Sequence, residues 1–241
     1  MTGTLFLGGG GDAADEERHW RAMLPGRRRV LYWPFALTIE MTRGAEEWLT
    51  RSLRALRLDV ELQTWTDLEG HLPDEMAHAN LLFVGGGNAF QLFHHVRRHG
   101  FEQSVRDFVA GGGDYYGGQS VRDFVAGGGD YYGGSAGAIL ACADIGFAAC
   151  LDENEVGLTD LTGLGLTREF AVLPHYDDGQ LVAAREWSSD HGVALLGIPE
   201  RSGLVTRDGC VEVTGPAAVM EFNGGVVTVR YPGDRWNVSP S

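Results

Sequence analysis

Short apolar runs alternate with segments of helical periodicity along the first two-thirds of the chain, and this alternation limits the folds that the chain can adopt. The predicted strands of this part are Thr4–Gly8, Arg29–Phe35, Leu58–Thr64 and Asn80–Val84. The predicted helices between and after them are Asp12–Met23, Ala45–Arg57 and Ala89–His99. Strands that alternate with helices of about 10 to 15 residues indicate a parallel sheet with helices on both faces.

The C-terminal part of the chain has a different pattern, in which strand-like runs follow one another with only tight turns between them. These runs are Val193–Ile198, Gly203–Thr206, Cys210–Thr214, Ala217–Phe222 and Val226–Tyr231. The two patterns together predict an α/β fold: a doubly wound, mostly parallel, flavodoxin-like sheet with an antiparallel C-terminal extension. We interpret residues 1–241 as one domain, because no linker-like stretch divides them.

A tandem duplication interrupts the alternating pattern. Residues 103–118 read QSVRDFVAGGGDYYGG, and residues 119–134 repeat the same 16 letters. The helical spacing of the apolar residues predicts a short helix, a glycine turn and a strand stub in each copy. Only the second copy can supply a strand that leads directly into Ser135. We therefore expect the first copy to form an extra helix and loop, displaced towards the surface or a subunit contact.

Composition excludes several classes of partner. The formal net charge is −14, which disfavours binding to nucleic acid. No apolar stretch approaches the roughly 18 residues of a membrane span, and the first residues lack the features of a signal peptide. The 3 cysteines show no metal-binding or disulfide spacing. We expect a cytoplasmic protein with reduced thiols and no membrane partner.

The pentapeptide Gly133-Gly134-Ser135-Ala136-Gly137 matches the G-x-S-x-G pattern. In an α/β fold this pattern forms a sharp turn between a strand and a helix that projects the serine hydroxyl above the sheet. The context fits, because a strand-like segment, Asp130–Tyr132, precedes the motif and an Ala-rich helix start, Ala136–Ala143, follows it. We predict that Ser135 is a nucleophile.

A serine nucleophile needs a base, and the base needs a group that orients it. His175 follows the apolar run Ala171–Pro174, and Glu200 follows another run that ends at Pro199. Residues at the carboxyl ends of strands line the functional edge of a doubly wound sheet. We therefore expect Ser135, His175 and Glu200 on one edge of the sheet, as nucleophile, base and orienting acid.

The same edge offers backbone donors for an oxyanion hole. Ala136 directly follows the nucleophile, and Gly86 or Gly87 lies on the glycine-rich loop after the fourth strand. A metal is not expected: His95 and His99 are one helical turn apart, but no carboxylate lies near them in the sequence, so they indicate a solvated helix face. We predict no cofactor.

Four motifs together resemble the aspartyl dipeptidase (peptidase E) family of serine peptidases. They are FVGGGNAFQL (83–92), YYGGSAGA (131–138), LPHYDDG (173–179) and GIPERSGLV (197–205). With one duplicated copy removed, their order and spacing fit that family across most of the chain. The resemblance implies a class I glutamine-amidotransferase-like core, a Ser-His-Glu triad at the three residues chosen above, no metal and a homodimer. Asn88 and Asp177, within these motifs, are expected to contact substrate.

The charge that follows the nucleophile departs from an Asp-selective pattern. Residues 136–174 contain one basic residue, Arg168, and six acidic ones. Such a field repels a carboxylate side chain and attracts a free peptide N-terminus, with Asp152 or Glu153 as the expected contact. We predict an exopeptidase (aminopeptidase or dipeptidase) for short peptides that is not Asp-selective. The alternatives are a cyanophycinase-like hydrolase of β-Asp-Arg units and a binding module that the duplication has disabled.

Overall fold

Five parallel strands form one half of a large sheet, and they confirm the predicted parallel core. The computed structural model describes residues 3–26, 28–110 and 129–238. The five strands are β1 (Leu5–Gly8), β2 (Arg28–Trp33), β3 (Val60–Thr64), β4 (Leu81–Val84) and β5 (Asp130–Gly134). Their order across the sheet is β1-β5-β4-β2-β3, with every neighbouring pair parallel. All residues of β1, β4 and β5 are buried, as expected for strands covered on both faces.

Three antiparallel strands extend this sheet beyond β1. They are β8 (Gly203–Arg207), β9 (Cys210–Thr214) and β12 (Arg235–Asn237). β8 pairs with β1, β9 with β8, and β12 with β9. The predicted antiparallel extension is confirmed. The sequence did not indicate β12, because it has three residues and only a partly buried tryptophan between two exposed positions.

Four further strands form a second sheet that the sequence pattern did not separate from the first. They are β6 (Phe170–Pro174), β7 (Ala194–Ile198), β10 (Val219–Asn223) and β11 (Val226–Arg230). β6 and β7 are parallel, and β10 and β11 continue in antiparallel fashion beyond β7. An apolar run shows that a strand is buried on both faces, but it does not specify the strand with which it pairs.

Helices cover the strands, and most lie where periodicity predicts them. They are α1 (Glu17–Met23), α2 (Ile39–Ala55), α3 (Ala89–Arg98), α4 (Glu102–Ala110), α5 (Ala136–Leu140) and α6 (Leu181–His191), with 3-10 turns at Pro73–His78, Gly146–Cys150 and Asp178–Gln180. α2 begins before its predicted start because the Thr38 hydroxyl caps it, accepting the Met41 N–H at 3.4 Å. In the described residues, every helix is too short or too polar to cross a membrane.

The two copies of the duplicated segment contribute different elements. The first copy supplies most of α4, whose Val105 and Val109 are buried in the main core, and the second copy supplies β5. The expectation that the helix of the first copy is displaced towards the surface is therefore wrong. The Gly129 N–H donates to the Phe108 carbonyl at 2.8 Å, so the end of α4 and the start of β5 lie side by side. The remainder of both copies lies outside the described residues.

An ion pair fixes the start of β5. The Asp130 carboxylate accepts the Thr4 N–H at 2.8 Å and contacts the Arg28 guanidinium at 2.5 Å. These contacts tie β5 to the segment before β1 and to the start of β2. Asp130 is buried, and the hydrogen bonds to both of its carboxylate oxygens offset the cost of that burial. The position of Ser135, five residues further along the chain, depends on this register.

Candidate active site

Ser135 lies at the turn between β5 and α5 in a strained conformation. Its φ and ψ are 50° and −110°, a region that residues with a side chain rarely adopt. Its N–H donates to the Gly8 carbonyl at 3.2 Å, which ties the turn to the end of β1. The geometry is that of the sharp strand-to-helix turn that the pentapeptide motif predicts.

Two glycines of the motif are required by close packing. A Cβ on Gly133 would lie 2.4 Å from the carbonyl carbon of Gly137. A Cβ on Gly137 would lie 2.5 Å from the carbonyl oxygen of Val84 in β4. Both distances are well inside van der Waals contact with backbone atoms that cannot rotate away. The spacing of glycines in the motif therefore follows from the approach of α5 to the sheet.

His175 directly follows β6 and reaches Ser135. Its Nε2 lies 2.9 Å from the Ser135 Oγ. The backbone of His175 also has a positive φ, 54°, and its N–H donates to the Gly9 carbonyl at 2.8 Å. Gly10 packs against the ring, since a Cβ there would lie 2.2 Å from the His175 Cε1. The glycine-rich loop after β1 thus positions the backbones of both residues.

Glu200 lies on the other side of the imidazole. Its Oε1 is 3.1 Å from the His175 Nδ1, and its side chain is 58% exposed. Because β6 and β7 belong to the second sheet, Ser135, His175 and Glu200 do not lie on one edge of a single sheet as expected. They meet where the two sheets adjoin. The predicted proximity of the three side chains is nevertheless present.

The predicted oxyanion donors lie around the serine. A Cβ on Gly86 would be 3.2 Å from the Ser135 Cβ, so the backbone of the glycine-rich loop passes directly beside the nucleophile. Within the described residues, the N–H groups of Gly86, Gly87 and Ala136 donate to no other protein group. Unpaired backbone donors beside a serine hydroxyl are the arrangement that stabilises an oxyanion.

The predicted substrate contacts make hydrogen bonds within the protein. The Asn88 side chain caps α3 by accepting the Gln91 N–H at 2.9 Å, and it donates to the Glu153 carbonyl at 2.9 Å. Asp177 caps the 3-10 turn after β6 by accepting the Gly179 N–H at 2.7 Å. The Glu153 and Asp177 side chains are exposed. A substrate contact by any of these three remains a prediction.

Asp152 lies at the start of α3, beside the glycine-rich loop. Its Oδ2 accepts the Ala89 N–H at 2.8 Å, and the residue is half-buried. Burial raises the pKa of Asp152, whereas the Ala89 hydrogen bond and the charge of His175 oppose that rise. The Asp152 carboxylate therefore lies within electrostatic range of His175.

A pocket of about 540 Å³ opens beside Ser135 and His175, and no sequence motif indicates it. Its mouth is formed by the two glycine-rich loops, and α2 forms one wall. Its inner surface is largely aromatic and comes from five different elements. The aromatic residues are Trp20, Tyr32, Trp48, Phe83 and Tyr132. No local sequence signal could have assembled them, although Glu16 and Trp20 have the spacing of one helical turn.

A buried carboxylate lies behind this aromatic surface. Glu16 accepts hydrogen bonds from the Trp20 Nε1 at 2.8 Å, from the Gly10 N–H at 3.2 Å and from the Tyr132 hydroxyl. Burial raises the pKa of Glu16, and the hydrogen bonds from Tyr132 and Trp20 oppose the rise. Of the described residues that line the pocket, His175 is the one basic side chain.

The His95–His99 pair has a carboxylate neighbour that the sequence did not indicate. Asp67, after β3, lies with its Oδ1 3.6 Å from the His95 Nε2, and ligand atoms of Asp67, His95 and His99 all lie within 4.8 Å of one another. The expectation that no carboxylate lies near the pair is therefore wrong. The His95 Nε2 also accepts the Leu68 N–H at 3.2 Å, so its single lone pair is already used.

Two solved structures with a similar fold are named as peptidases. A Listeria monocytogenes protein named for peptidase E has a solved structure that covers 90% of this chain and 100% of its own, with a TM-score of 0.64 and 22% identity. A peptidase from an acI-B1 actinobacterium covers 98% of this chain and 97% of its own, with a TM-score of 0.70 and 17% identity. At these identities the two structures support the fold alone.

Sequence comparisons also find peptidases. The profile of peptidase family S51 matches residues 5–121. Peptidase E of Salmonella newport is 28% identical over 219 residues, covering 84% of this chain and 83% of that protein. An uncharacterized peptidase of Listeria monocytogenes is 27% identical over 154 residues, covering 63% of this chain and 67% of that protein. The profile match, over just under half of the chain, and these relatives support the peptidase E family of serine peptidases as the family of this chain.

Proposed function

We propose that the chain is a serine exopeptidase that hydrolyses short peptides with a free N-terminus through a triad of Ser135, His175 and Glu200. One observation carries this proposal. The Ser135 Oγ, the two ring nitrogens of His175 and a Glu200 carboxylate oxygen form a continuous chain, with contacts of 2.9 and 3.1 Å. This is the geometry of a nucleophile, its base and the group that orients the base.

Each residue has a defined part in the proposed reaction. His175 Nε2 removes the hydroxyl proton as the Ser135 Oγ attacks the scissile carbonyl carbon. The backbone N–H groups of Ala136 and of Gly86 or Gly87 bind the resulting oxyanion. His175 then gives the proton to the leaving amine, and the acyl-serine remains. Water, deprotonated by His175, hydrolyses this ester and restores the hydroxyl. Glu200 holds the imidazole tautomer and stabilises its cation.

The arrangement of charge argues against selectivity for N-terminal Asp. Residues 136–174 carry six acidic side chains and one basic one. Glu16 adds a buried carboxylate behind the pocket next to Ser135, and in the described lining no lysine or arginine could pair with a substrate carboxylate. An Asp side chain would be desolvated there without a partner, which is costly. Asp152, close to His175, is the proposed contact for the substrate ammonium group.

The triad also argues against the disabled binding module. Although the duplication ends directly before Ser135, the serine hydroxyl lies within hydrogen-bonding distance of His175. A shift of about 1 Å at the nucleophile would by itself reduce the rate about 100-fold.

The first experiment is labelling with a fluorophosphonate probe, which reacts with activated serines. We expect stoichiometric labelling that maps to Ser135 and that is lost in Ser135→Ala and His175→Ala. Ser189→Ala, at an exposed serine on α6, is the matched control and should label like the wild type. Labelling that persists in folded Ser135→Ala would refute the assignment of the nucleophile.

A dipeptide panel tests the exopeptidase part of the proposal. Peptides that begin with Asp, Ala, Leu, Phe or Arg are compared with their N-acetylated forms and with β-Asp-Arg. We expect hydrolysis that requires both Ser135 and the free amine, with Asp-leading peptides among the poorest substrates. Equal hydrolysis of acetylated peptides would contradict the exopeptidase. Turnover of β-Asp-Arg alone would identify the cyanophycinase-like alternative.

A further inference from the structure

We infer that the aromatic pocket beside Ser135 binds the side chain of the substrate's N-terminal residue and selects large apolar or aromatic side chains. The inference rests on the proposed function, because it takes Ser135 as the nucleophile. It assigns a class of substrate side chain to the aromatic pocket.

The position of the pocket determines which substrate residue enters it. Ser135, His175 and the Gly85–Gly87 loop all contribute to its mouth. When the scissile carbonyl oxygen points to the N–H groups of this loop, the carbonyl carbon lies at the Ser135 Oγ. The side chain of the residue that carries this carbonyl then lies over the pocket. In an exopeptidase that releases one residue, it is the N-terminal residue.

Two of the aromatic residues, Trp20 and Tyr132, present carbon atoms to the pocket because their polar groups are bonded elsewhere. The indole N–H of Trp20 and the hydroxyl of Tyr132 both donate to the Glu16 carboxylate. Phe83 packs between these elements, with its ring centroid 5.5 Å from that of Trp20 and 4.1 Å from that of Tyr132. Glu16 is thus a positioning residue. An aromatic or aliphatic substrate side chain can contact the rings without displacing any of these hydrogen bonds.

Two apolar side chains at the rim are exposed without a substrate. Met41 is 59% exposed and Trp48 is 41% exposed, although both line the pocket. Both side chains project from α2, which forms one wall of the pocket. The Trp48 ring packs edge-on against the Trp20 ring, with the ring centroids 6.2 Å apart. Exposed apolar groups around a concave site mark a ligand-binding surface. A large side chain in the pocket would cover part of this rim.

The size of the pocket favours a large side chain over a small one. About 540 Å³ falls within the range of roughly 300–1,000 Å³ for small-molecule sites. Gly44 on α2 leaves part of the wall open, since nothing lies within 4 Å of a Cβ built there. An N-terminal Ala would leave the rings uncovered, whereas Phe or Leu would bury them. Burial of such a side chain corresponds to a kcat/KM that is roughly 10- to 100-fold higher for Phe or Leu than for Ala.

The test measures kcat/KM for dipeptides that share their second residue and begin with Phe, Leu, Ala or Asp. For the wild type we expect Phe and Leu to exceed Ala at least roughly 10-fold, with Asp lowest. Gly44→Leu places a side chain in the open wall, at a helix position that tolerates leucine. We expect the Phe/Ala ratio of this variant to fall towards one. Glu46→Leu, on the same helix but outside the pocket lining, is the matched control and should retain the wild-type ratio.

A binding measurement separates this inference from the proposed function. α-Amino boronic acids with Phe, Ala or Asp side chains compete with the fluorophosphonate probe for the serine. We expect the Phe analogue to protect Ser135 at a roughly 10-fold lower concentration than the Ala analogue. If Ser135 is labelled and the two analogues protect equally, the pocket inference is overturned while the triad stands. If the wild type is not labelled at all, the proposed function fails and the inference falls with it.

Discussion

Replacing Gly137 by alanine tests whether the packing of α5 against the sheet positions the nucleophile. A Cβ at this position would lie 2.5 Å from the Val84 carbonyl oxygen, whereas ordinary contact begins at 3.4 Å. The start of α5 would therefore have to move away from β4 by about 0.9 Å. Because α5 begins at Ala136, directly after Ser135, most of this displacement reaches the serine hydroxyl.

The expected effects are large for reactivity and moderate for stability. A displacement of about 1 Å at a reacting group costs about 100-fold in rate, so we expect the second-order rate constant of fluorophosphonate labelling to fall by about that factor. Overpacking of this kind reduces the free energy of unfolding by about 1–3 kcal/mol. Urea unfolding followed by circular dichroism measures the second effect and establishes that the variant is folded.

A matched substitution separates the packing effect from the effect of alanine in a helix. Gly44→Ala makes the same change in α2, where nothing lies within 4 Å of the new Cβ. There we expect a gain of about 0.5–1 kcal/mol in the free energy of unfolding, from helix propensity alone. If folded Gly137→Ala labels at the wild-type rate, the contact with Val84 does not position Ser135 and the reasoning is refuted.

Four further changes have expected outcomes. Glu200→Gln should lower the labelling rate by about 100- to 1,000-fold. This is a smaller loss than we expect for a buried orienting acid, because the Glu200 side chain is 58% exposed. A rate within a few-fold of that of the wild type would remove Glu200 from the triad. Burial lowers the pKa of His19 to about 3 from 6.5, so its contribution to stability is complete above pH 6.5 and is lost as pH falls towards 3. Between pH 7 and 5 this loss is about 2 kcal/mol, and urea unfolding of His19→Gln should show a correspondingly weaker pH dependence than the wild type. Asp130→Ala should reduce the free energy of unfolding, measured by urea, by about 2–4 kcal/mol because it leaves a half-buried arginine and a backbone N–H unpaired. Deletion of residues 111–126 removes one copy of the repeat and should preserve both fluorophosphonate labelling and the free energy of unfolding. The reason is that the Phe108 carbonyl and the Gly129 N–H, on either side of the deleted segment, already share a 2.8 Å hydrogen bond. Loss of labelling from a folded deletion variant would show that the extra copy is needed.

The local pattern of the sequence determined the elements of this protein and their approximate bounds. Cys210–Thr214 was predicted without error, and β4 and α3 were predicted to within one residue at each end. The reason is that burial on one or both faces repeats with the period of a strand or helix, so the element is encoded by neighbouring residues. α6 escaped prediction because only Ala184 and Ser188 of its residues are buried.

The proximity of the three candidate catalytic residues could also be predicted, but for a reason that was partly incorrect. Each follows an apolar strand, and the carboxyl ends of these strands do converge. The second sheet could not be predicted, because the apolar run of β6 or β7 contains no information on which strand it pairs with. The pocket could not be predicted for a related reason, because Glu16, Trp48 and Phe83 come from three segments that meet only in the folded chain.

The duplication shows most clearly which features the sequence determines and which depend on the tertiary structure. Its copies have identical sequences, so in the sequence only their position relative to Ser135 distinguishes them, and that position predicts the strand of the second copy. In the structure, the helix of the first copy packs in the core, while Asp130 of the second copy bonds Arg28 and Thr4 and leads directly into Ser135. The tertiary structure decides where these elements pack, because only the folded chain brings Thr4 and Arg28, which are far away in the sequence, into contact with Asp130.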